Sequence, residues 1–186
     1  MNFKTTCLAA AALTALAGPA LAGASEDAFA SFRSICGDTA ADFPGVVKAA
    51  DAANWQPDTQ EVTSMDGVVV SDKLSRKKKS GDAAMELTAS HGVAAKFGNA
   101  GVSICTVVSN KAEFGSVVSQ VQGWLGMAPH DAAPTKTGFH YTPNGTAFAA
   151  VPDGGFDAAA AGGGMMLLTV RNAGGKVTVD LIKLKK

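Results

Sequence analysis

Residues 101–126 read GVSICTVVSNKAEFGSVVSQVQGWLG, and they set out a strand followed by a helix. From Val102 to Val108 one face carries Val102, Ile104, Thr106 and Val108, and the other carries Ser103, Cys105 and Val107. Apolar residues on both faces mark a strand interior to its sheet rather than one wetted on one side. Asn110 and Glu113 then form an N-x-x-E start of the capping-box kind. Phe114, Val117, Val118, Val121 and Leu125 make the stripe of an amphipathic helix, with Gly126 as its C-cap and Pro129 beyond. The stretch is expected to form the centre of the core.

Toward the N-terminus, Ser25 reads as an N-cap, Glu26 and Asp27 suit the positive end of a helix dipole, and Phe29, Phe32 and Cys36 share one apolar stripe before Gly37 stops the helix. A second helix begins near Asp42 with Pro44 in its first turn and Phe43, Val46, Val47, Ala50 and Ala53 on its apolar face; Trp55 and Pro57 close it. Gly67 to Val70 reads as a strand running into Ser71-Asp72-Lys73-Leu74-Ser75-Arg76-Lys77-Lys78-Lys79-Ser80-Gly81. That basic run has two readings: a contact with an anionic lipid, glycan or partner, or a solvated connection or strand edge whose lysines discourage edge pairing. The second is favoured, because no aromatic residues interleave the run.

Met85, Leu87 and Ala89 alternate with Glu86, Thr88 and Ser90 as a half-buried strand does, His91-Gly92 reads as a turn, and Val93 to Phe97 as a short further strand. Beyond Pro134 two hairpins are expected. Gly138 to Thr142 and Thr146 to Val151 flank Pro143-Asn144-Gly145, while Met165 to Asn172 and Lys176 to Lys185 flank Ala173-Gly174-Gly175. The Asn144-Gly145-Thr146 glycosylation sequon reads better as the first of these turns, and Pro152 to Gly164 as a loose Gly/Ala region. The expected fold is therefore α+β: a mostly antiparallel sheet packed with two or three helices.

Residues 1–22 have the form of a secretory leader, with Lys4 as the only charge, Leu8 to Ala17 apolar, and Pro19-Ala20-Leu21-Ala22 as a small-x-small cleavage site. The apolar segment falls short of the ~20 residues a membrane span needs. Cleavage after Ala22 leaves residues 23–186 as one expected domain, in the periplasm or secreted, with no transmembrane segment. Losing Lys4 leaves 15 of the 16 basic side chains against 16 acidic ones, so no attraction to nucleic acid follows. Cys7 departs with the leader. Cys36 and Cys105 remain, 69 positions apart, and in an oxidising compartment an even pair is expected to be a disulfide.

Candidate chemistry is sparse. His91, His130 and His140 are each isolated, with no spacing that sets two metal ligands on one helix face, so neither a metal nor a cofactor is expected. His140-Tyr141 would be an acid/base pair but for the strand, which sends neighbours to opposite faces. Ser75-Arg76-Lys77-Lys78 fits S-x-x-K in form only, since that motif needs a buried helix. Gly154-Gly155, Gly162 to Gly164 and Gly174-Gly175 read as turns rather than phosphate loops. Trp55 is either a ligand-stacking platform or, as favoured, a lid on the core edge. Gly45-Val46-Val47 followed by Trp55-Gln56-Pro57 echoes Ser116-Val117-Val118 followed by Trp124 and Pro129, so an internal duplication stands beside the plainer account of two similar helices.

A first helix carrying Phe32 and Cys36, a second closing in Trp55-x-Pro57, then Cys105 in an apolar strand and a helix ending at Trp124 together resemble small secreted two-cysteine proteins of Gram-negative bacteria that have no assigned activity. The resemblance implies a single disulfide-linked domain and nothing about catalysis. The leading expectation is a non-enzymatic envelope or binding module, whose partner would be an envelope protein, a glycan or a small ligand. The alternatives are a small hydrolase built from His140, Tyr141 and polar groups near Asp131, and a ligand pocket between helices and sheet with Trp55 or Trp124 at its mouth.

Overall fold

A computed structural model describes residues 19–59, 68–95 and 98–185, with side chains from Gly23 onward. The charged and apolar regions of the expected leader, Gly67, and Lys96 and Phe97 of the expected short strand lie outside the described residues. Along the chain the elements are α1 (Pro19–Phe32), a π-helical turn (Arg33–Gly37), α2 (Phe43–Ala52), β1 (Gln56–Pro57), β2 (Val68–Ser80), β3 (Ala83–Ala94), β4 (Ala100–Ser109), α3 (Phe114–Leu125), β5 (Asp131–Ala133), β6 (Lys136–Asn144), β7 (Ala147–Ala150), α4 (Phe156–Gly162), β8 (Met166–Ala173) and β9 (Lys176–Lys185). All strands join one antiparallel sheet in the order β1-β2-β3-β4-β9-β8-β6-β5, with β7 also on β6. The fold is α+β, as the alternating and helical patterns imply. No helix among the described residues is long and apolar enough to cross a membrane.

β4 occupies the centre, paired to β3 on one side and β9 on the other. Its Ser103/Cys105/Val107 face is sealed beneath α1, α2 and α3, where Phe32, Ile35, Cys36, Val46, Val117 and Val121 are all essentially inaccessible. Cys36 and Cys105 form a disulfide with a Cα–Cα distance of 5.5 Å. The helix does not simply stop before Gly37: it widens into the π turn, with Asp38 N–H donating to the Arg33 carbonyl at 2.7 Å and Ala41 N–H to the Cys36 carbonyl at 2.8 Å. Gly37 earns its place through close approach, because a Cβ there would lie 2.8 Å from the Trp124 indole. Trp124 in turn meets Phe29, Phe32 and Phe148 edge-on, so it belongs to the core and not to a pocket mouth.

Several local expectations are corrected. Ser25 does not begin a helix: it is buried inside α1, and its hydroxyl accepts from the Glu113 N–H at 2.9 Å, tying α1 to the start of α3. The N-cap of α3 is Glu113 rather than Asn110, whose side-chain oxygen instead accepts from the Ala84 N–H at 2.8 Å. Local capping yields here to contacts that cross the fold. Gly126 does cap α3, at φ 65°. His91-Gly92 is not a turn; β3 runs straight through it to Ala94. The pairing of β2 with β3 shifts register between Val70 and Asp72, and a Cβ on Gly92 would overlap the Val69 carbonyl, so this glycine serves a bulge. The region Pro152 to Gly164 holds the short helix α4.

Among the described residues, the outer face of the sheet is covered at one end. There Ala94, Val102, Met165 and Leu184 form a second apolar cluster with Val151, Phe156, Ala159 and Ala160. Elsewhere that face is polar: Thr106 donates to Asp180 at 2.8 Å, and Arg171 grips the other oxygen of Asp180 through Nε and Nη2. The sheet order is symmetric about the β4/β9 pairing, each half running helix, short strand, three long strands. Phe43-x-x-Val46-Val47-x-x-Ala50 in α2 corresponds to Phe114-x-x-Val117-Val118-x-x-Val121 in α3, each opening its helix. This arrangement is what duplication of one unit would produce, with β7 and α4 inserted into the second copy.

Two outcomes test this account. Replacing both Cys36 and Cys105 by Ala is expected to lower the unfolding free energy by roughly 4 kcal/mol, the loop-closure value for a cross-link of this span, as read by urea denaturation; an unchanged free energy would show that the bond contributes nothing. Gly92→Ala is expected to cost about 2 kcal/mol or more, since backbone has to move, and a neutral effect would remove the bulge argument.

Candidate ligand-binding site

Of the residues with chemical potential, the structure brings two sets together. The first is a row across three adjacent strands: Asp72 in β2, His91 in β3 and Ser103 in β4 lie directly opposite one another. The His91 Nε2 sits 3.4 Å from the Asp72 carboxylate, while His91 Nδ1 and the Ser103 hydroxyl are both buried without partners. A histidine, a carboxylate and a hydroxyl in line suggest acyl transfer, but two features oppose it. Ser103 is only 1% exposed, so no substrate carbonyl reaches it. It also lies mid-strand with β3 and β9 on either side, so the surrounding backbone N–H groups are committed to the ladder and none is left to stabilise an oxyanion.

The second set is a histidine pair. One edge of β6 is taken first by β5, opposite Lys136 to Gly138, and then by β7, opposite Tyr141 to Asn144. His140 falls at the junction. The chain entering β5 and the chain leaving β7 therefore flank it, held by His130 N–H to the Gly138 carbonyl at 2.8 Å and Val151 N–H to the His140 carbonyl at 2.9 Å. Between them lies a cleft of about 360 Å³ lined by Pro129, His130, His140, Val151, Pro152 and Asp153, among others. The His130 and His140 rings stack with centroids 4.1 Å apart, and Phe156 meets His140 edge-on. Asp153 places Oδ1 3.4 Å from His130 Nδ1. Asp131, tied to Lys136 at 3.9 Å, lies over Gly138, which has no side chain to keep it away.

Burial lowers the pKa of His140 below the ordinary imidazole value; the His130 charge pushes the same way, Asp131 opposes, and Lys136 adds a smaller downward push. His140 is thus a neutral imidazole at pH 7. Tyr141 does not join it, being 1% exposed on the opposite face, with its phenol pKa raised by burial. The grouping of His140, Tyr141 and Asp131 expected for a hydrolase is accordingly split by the strand.

The other candidates resolve differently. Trp55 is 3% exposed and lines a second cleft of about 360 Å³ with Asp27, Lys78 and Ser80. There Ser80 donates to Asp27 at 2.6 Å and Lys78 to the Ala53 carbonyl at 3.2 Å, while the Trp55 indole N–H is buried without a partner among the described residues. The basic run is the strand β2, paired among the described residues with β3 on one side and the two residues of β1 on the other. Arg76 pairs with Asp51 and Lys77 with Asp58, both at 3.4 Å, as suits an edge held to its own fold. Ser75 and Lys78 point to opposite faces of β2, which dismantles the S-x-x-K reading. The histidine cleft escaped the sequence because β5 is three residues long and carries no periodic signal; the nine residues between His130 and His140 conceal a reversal.

No family model, curated protein or solved structure matches this chain.

The lowered His140 pKa has a definite sign. As pH falls below about 6.5 the unfolded chain takes up this proton before the folded one does, so the stability due to neutral His140 is complete above that pH and declines below it. Urea midpoints between about pH 7.5 and about pH 5 should fall with pH, and less steeply for His140→Gln. Equal slopes would overturn the assignment.

Proposed function

We propose that this chain is a secreted or periplasmic, non-enzymatic binding protein that takes a small ligand into the cleft between the His130/His140 stack and Pro152-Asp153. The observation that carries the reading is the cleft itself: about 360 Å³, within the size range of small-molecule sites, walled by prolines, alanines and valine with a few polar groups converging. The His140 ring makes no hydrogen bond among the described residues, which leaves its nitrogens to a ligand. The export reading is supported by the leader pattern in residues 1–22 and by a disulfide, a bond that persists in oxidising compartments. A catalytic reading lacks support, since the buried Ser103 row has no oxyanion donors and the cleft holds no nucleophile beside its imidazoles.

The test is native mass spectrometry of the full chain recovered from its own envelope fraction, beside Ala150→Trp, whose indole would fill the cleft. Export predicts a mass beginning at Gly23. Binding predicts an adduct on the wild type that the variant lacks. A ligand-free mass for both proteins, together with unmoved His130 and His140 NMR resonances when the envelope's small-molecule extract is added, would sink the binding reading.

A further inference from the structure

The cleft lined by Trp55 lies between α1 and the paired strands β2 and β3. We propose that it is a second binding site, for a small aliphatic α-amino acid whose carboxylate meets Lys78 and Trp55 and whose ammonium meets Asp27. This site is separate from the histidine cleft, which lies at β6 in the other half of the sheet.

Lys78 is the first reason. Alternation along the basic run turns Lys77 and Lys79 outward and sends Arg76 and Lys78 to the face that the helices cover, where Lys78 lies directly opposite the buried Met85. Arg76 finds the Asp51 carboxylate there at 3.4 Å. Lys78 finds the Ala53 carbonyl at 3.2 Å, which takes one of its hydrogen bonds and balances none of its charge. Among the described residues no carboxylate stands within ion-pair distance of Lys78 and no cation within that distance of Asp27, whose carboxylate accepts from the Ser80 hydroxyl at 2.6 Å. One ammonium and one carboxylate thus line the same cleft without neutralising each other. A ligand that carries both charges on one carbon answers both, whereas a plain anion or a plain cation leaves one protein charge uncompensated.

The second reason is Trp55. Its side chain is 3% exposed, yet its indole N–H has no acceptor among the described residues. A buried donor left without an acceptor costs free energy, and buried indoles ordinarily find a partner. A ligand carboxylate has two oxygens, one for Lys78 and one for this N–H. Ala30, Ala53 and Met85 supply the apolar part of the wall, and the short alanine side chains leave room for an aliphatic group. At about 360 Å³ the cleft has the size of a small-molecule site, with a few polar groups on an apolar wall to orient what enters.

The experiment follows the indole N–H resonances of Trp55 and Trp124 in the full chain at neutral pH while L-alanine, L-valine or L-leucine is added, each beside its deaminated acid and its decarboxylated amine. Trp55→Phe assigns the two signals. The Trp55 signal is expected to shift along a saturable curve while that of Trp124 stays, and the bound amino acid should exceed both of its counterparts in affinity by about tenfold or more. Lys78→Met and Asp27→Asn, neither of them in the core, should each weaken binding by about tenfold. Ala150→Trp, which fills the histidine cleft, should leave it unchanged. No Trp55 shift with any of the three amino acids, undiminished binding to Lys78→Met or Asp27→Asn, or a deaminated acid that binds as tightly as its amino acid overturns the site. Binding lost in Ala150→Trp and kept in Lys78→Met assigns the amino acid to the histidine cleft and overturns this site while sparing that one.

Discussion

A covalent bond between Cys36, in the turn that ends the first helix, and Cys105, in the middle of the central strand, holds α1 across the line where the two halves of the sheet meet. Much of the remaining packing follows from that attachment. With α1 pinned over β4, the Phe29/Phe32 stripe lies against Trp124 of α3, and the Ser25 hydroxyl reaches the first turn of α3. The local cost is visible in the backbone: the helix widens to a π turn, and Ala40 and Ala41 are held at φ 51° and 53°, a region that residues with a Cβ avoid. Such geometry persists only where its surroundings over-determine it, and Ala41, 1% exposed, is packed in.

The sheet built on that centre treats its two faces differently. The inner face is closed by three helices over an apolar centre, with the Asp72–His91–Ser103 row crossing it toward one end. The outer face has one apolar end beneath α4, while its middle is a ladder of threonines around the Asp180–Arg171 pair. The histidine cleft lies at the border of the covered end, where the edge of β6 passes from one short partner strand to another. The long strand β6 thus fixes His140, and the chain segments beside the short strands β5 and β7 bring His130 and Asp153 to it, the arrangement in which rigid elements present loop-borne function.

Particular elements show how far sequence carried the reading. The interior strand at 102–108, the amphipathic helix ending at Gly126, both hairpins and the Cys36–Cys105 pair were legible because each leaves a periodic or compositional mark within a few residues. The caps of α1 and α3 were misread because Ser25 and Asn110 serve partners 88 and 26 positions away. Gly92 was misread because a glycine in a bulge and a glycine in a turn look alike; what separates them is the Val69 carbonyl lying over it. The candidate site was the least legible part. Its histidines share no helix face and no strand, and only the reversal through β5 stacks them.

The sequence by itself determined the class of fold, the identity of its core strand and its cross-link, since these rest on hydrophobic period and on the pairing of two remaining thiols. Tertiary structure alone decided the strand order, the symmetry about β4 and β9, and which polar groups meet. The physical reason is one of range: periodicity reports which face of an element is buried, whereas a site depends on which faces are brought together, and strands pair through backbone groups that are the same at every residue.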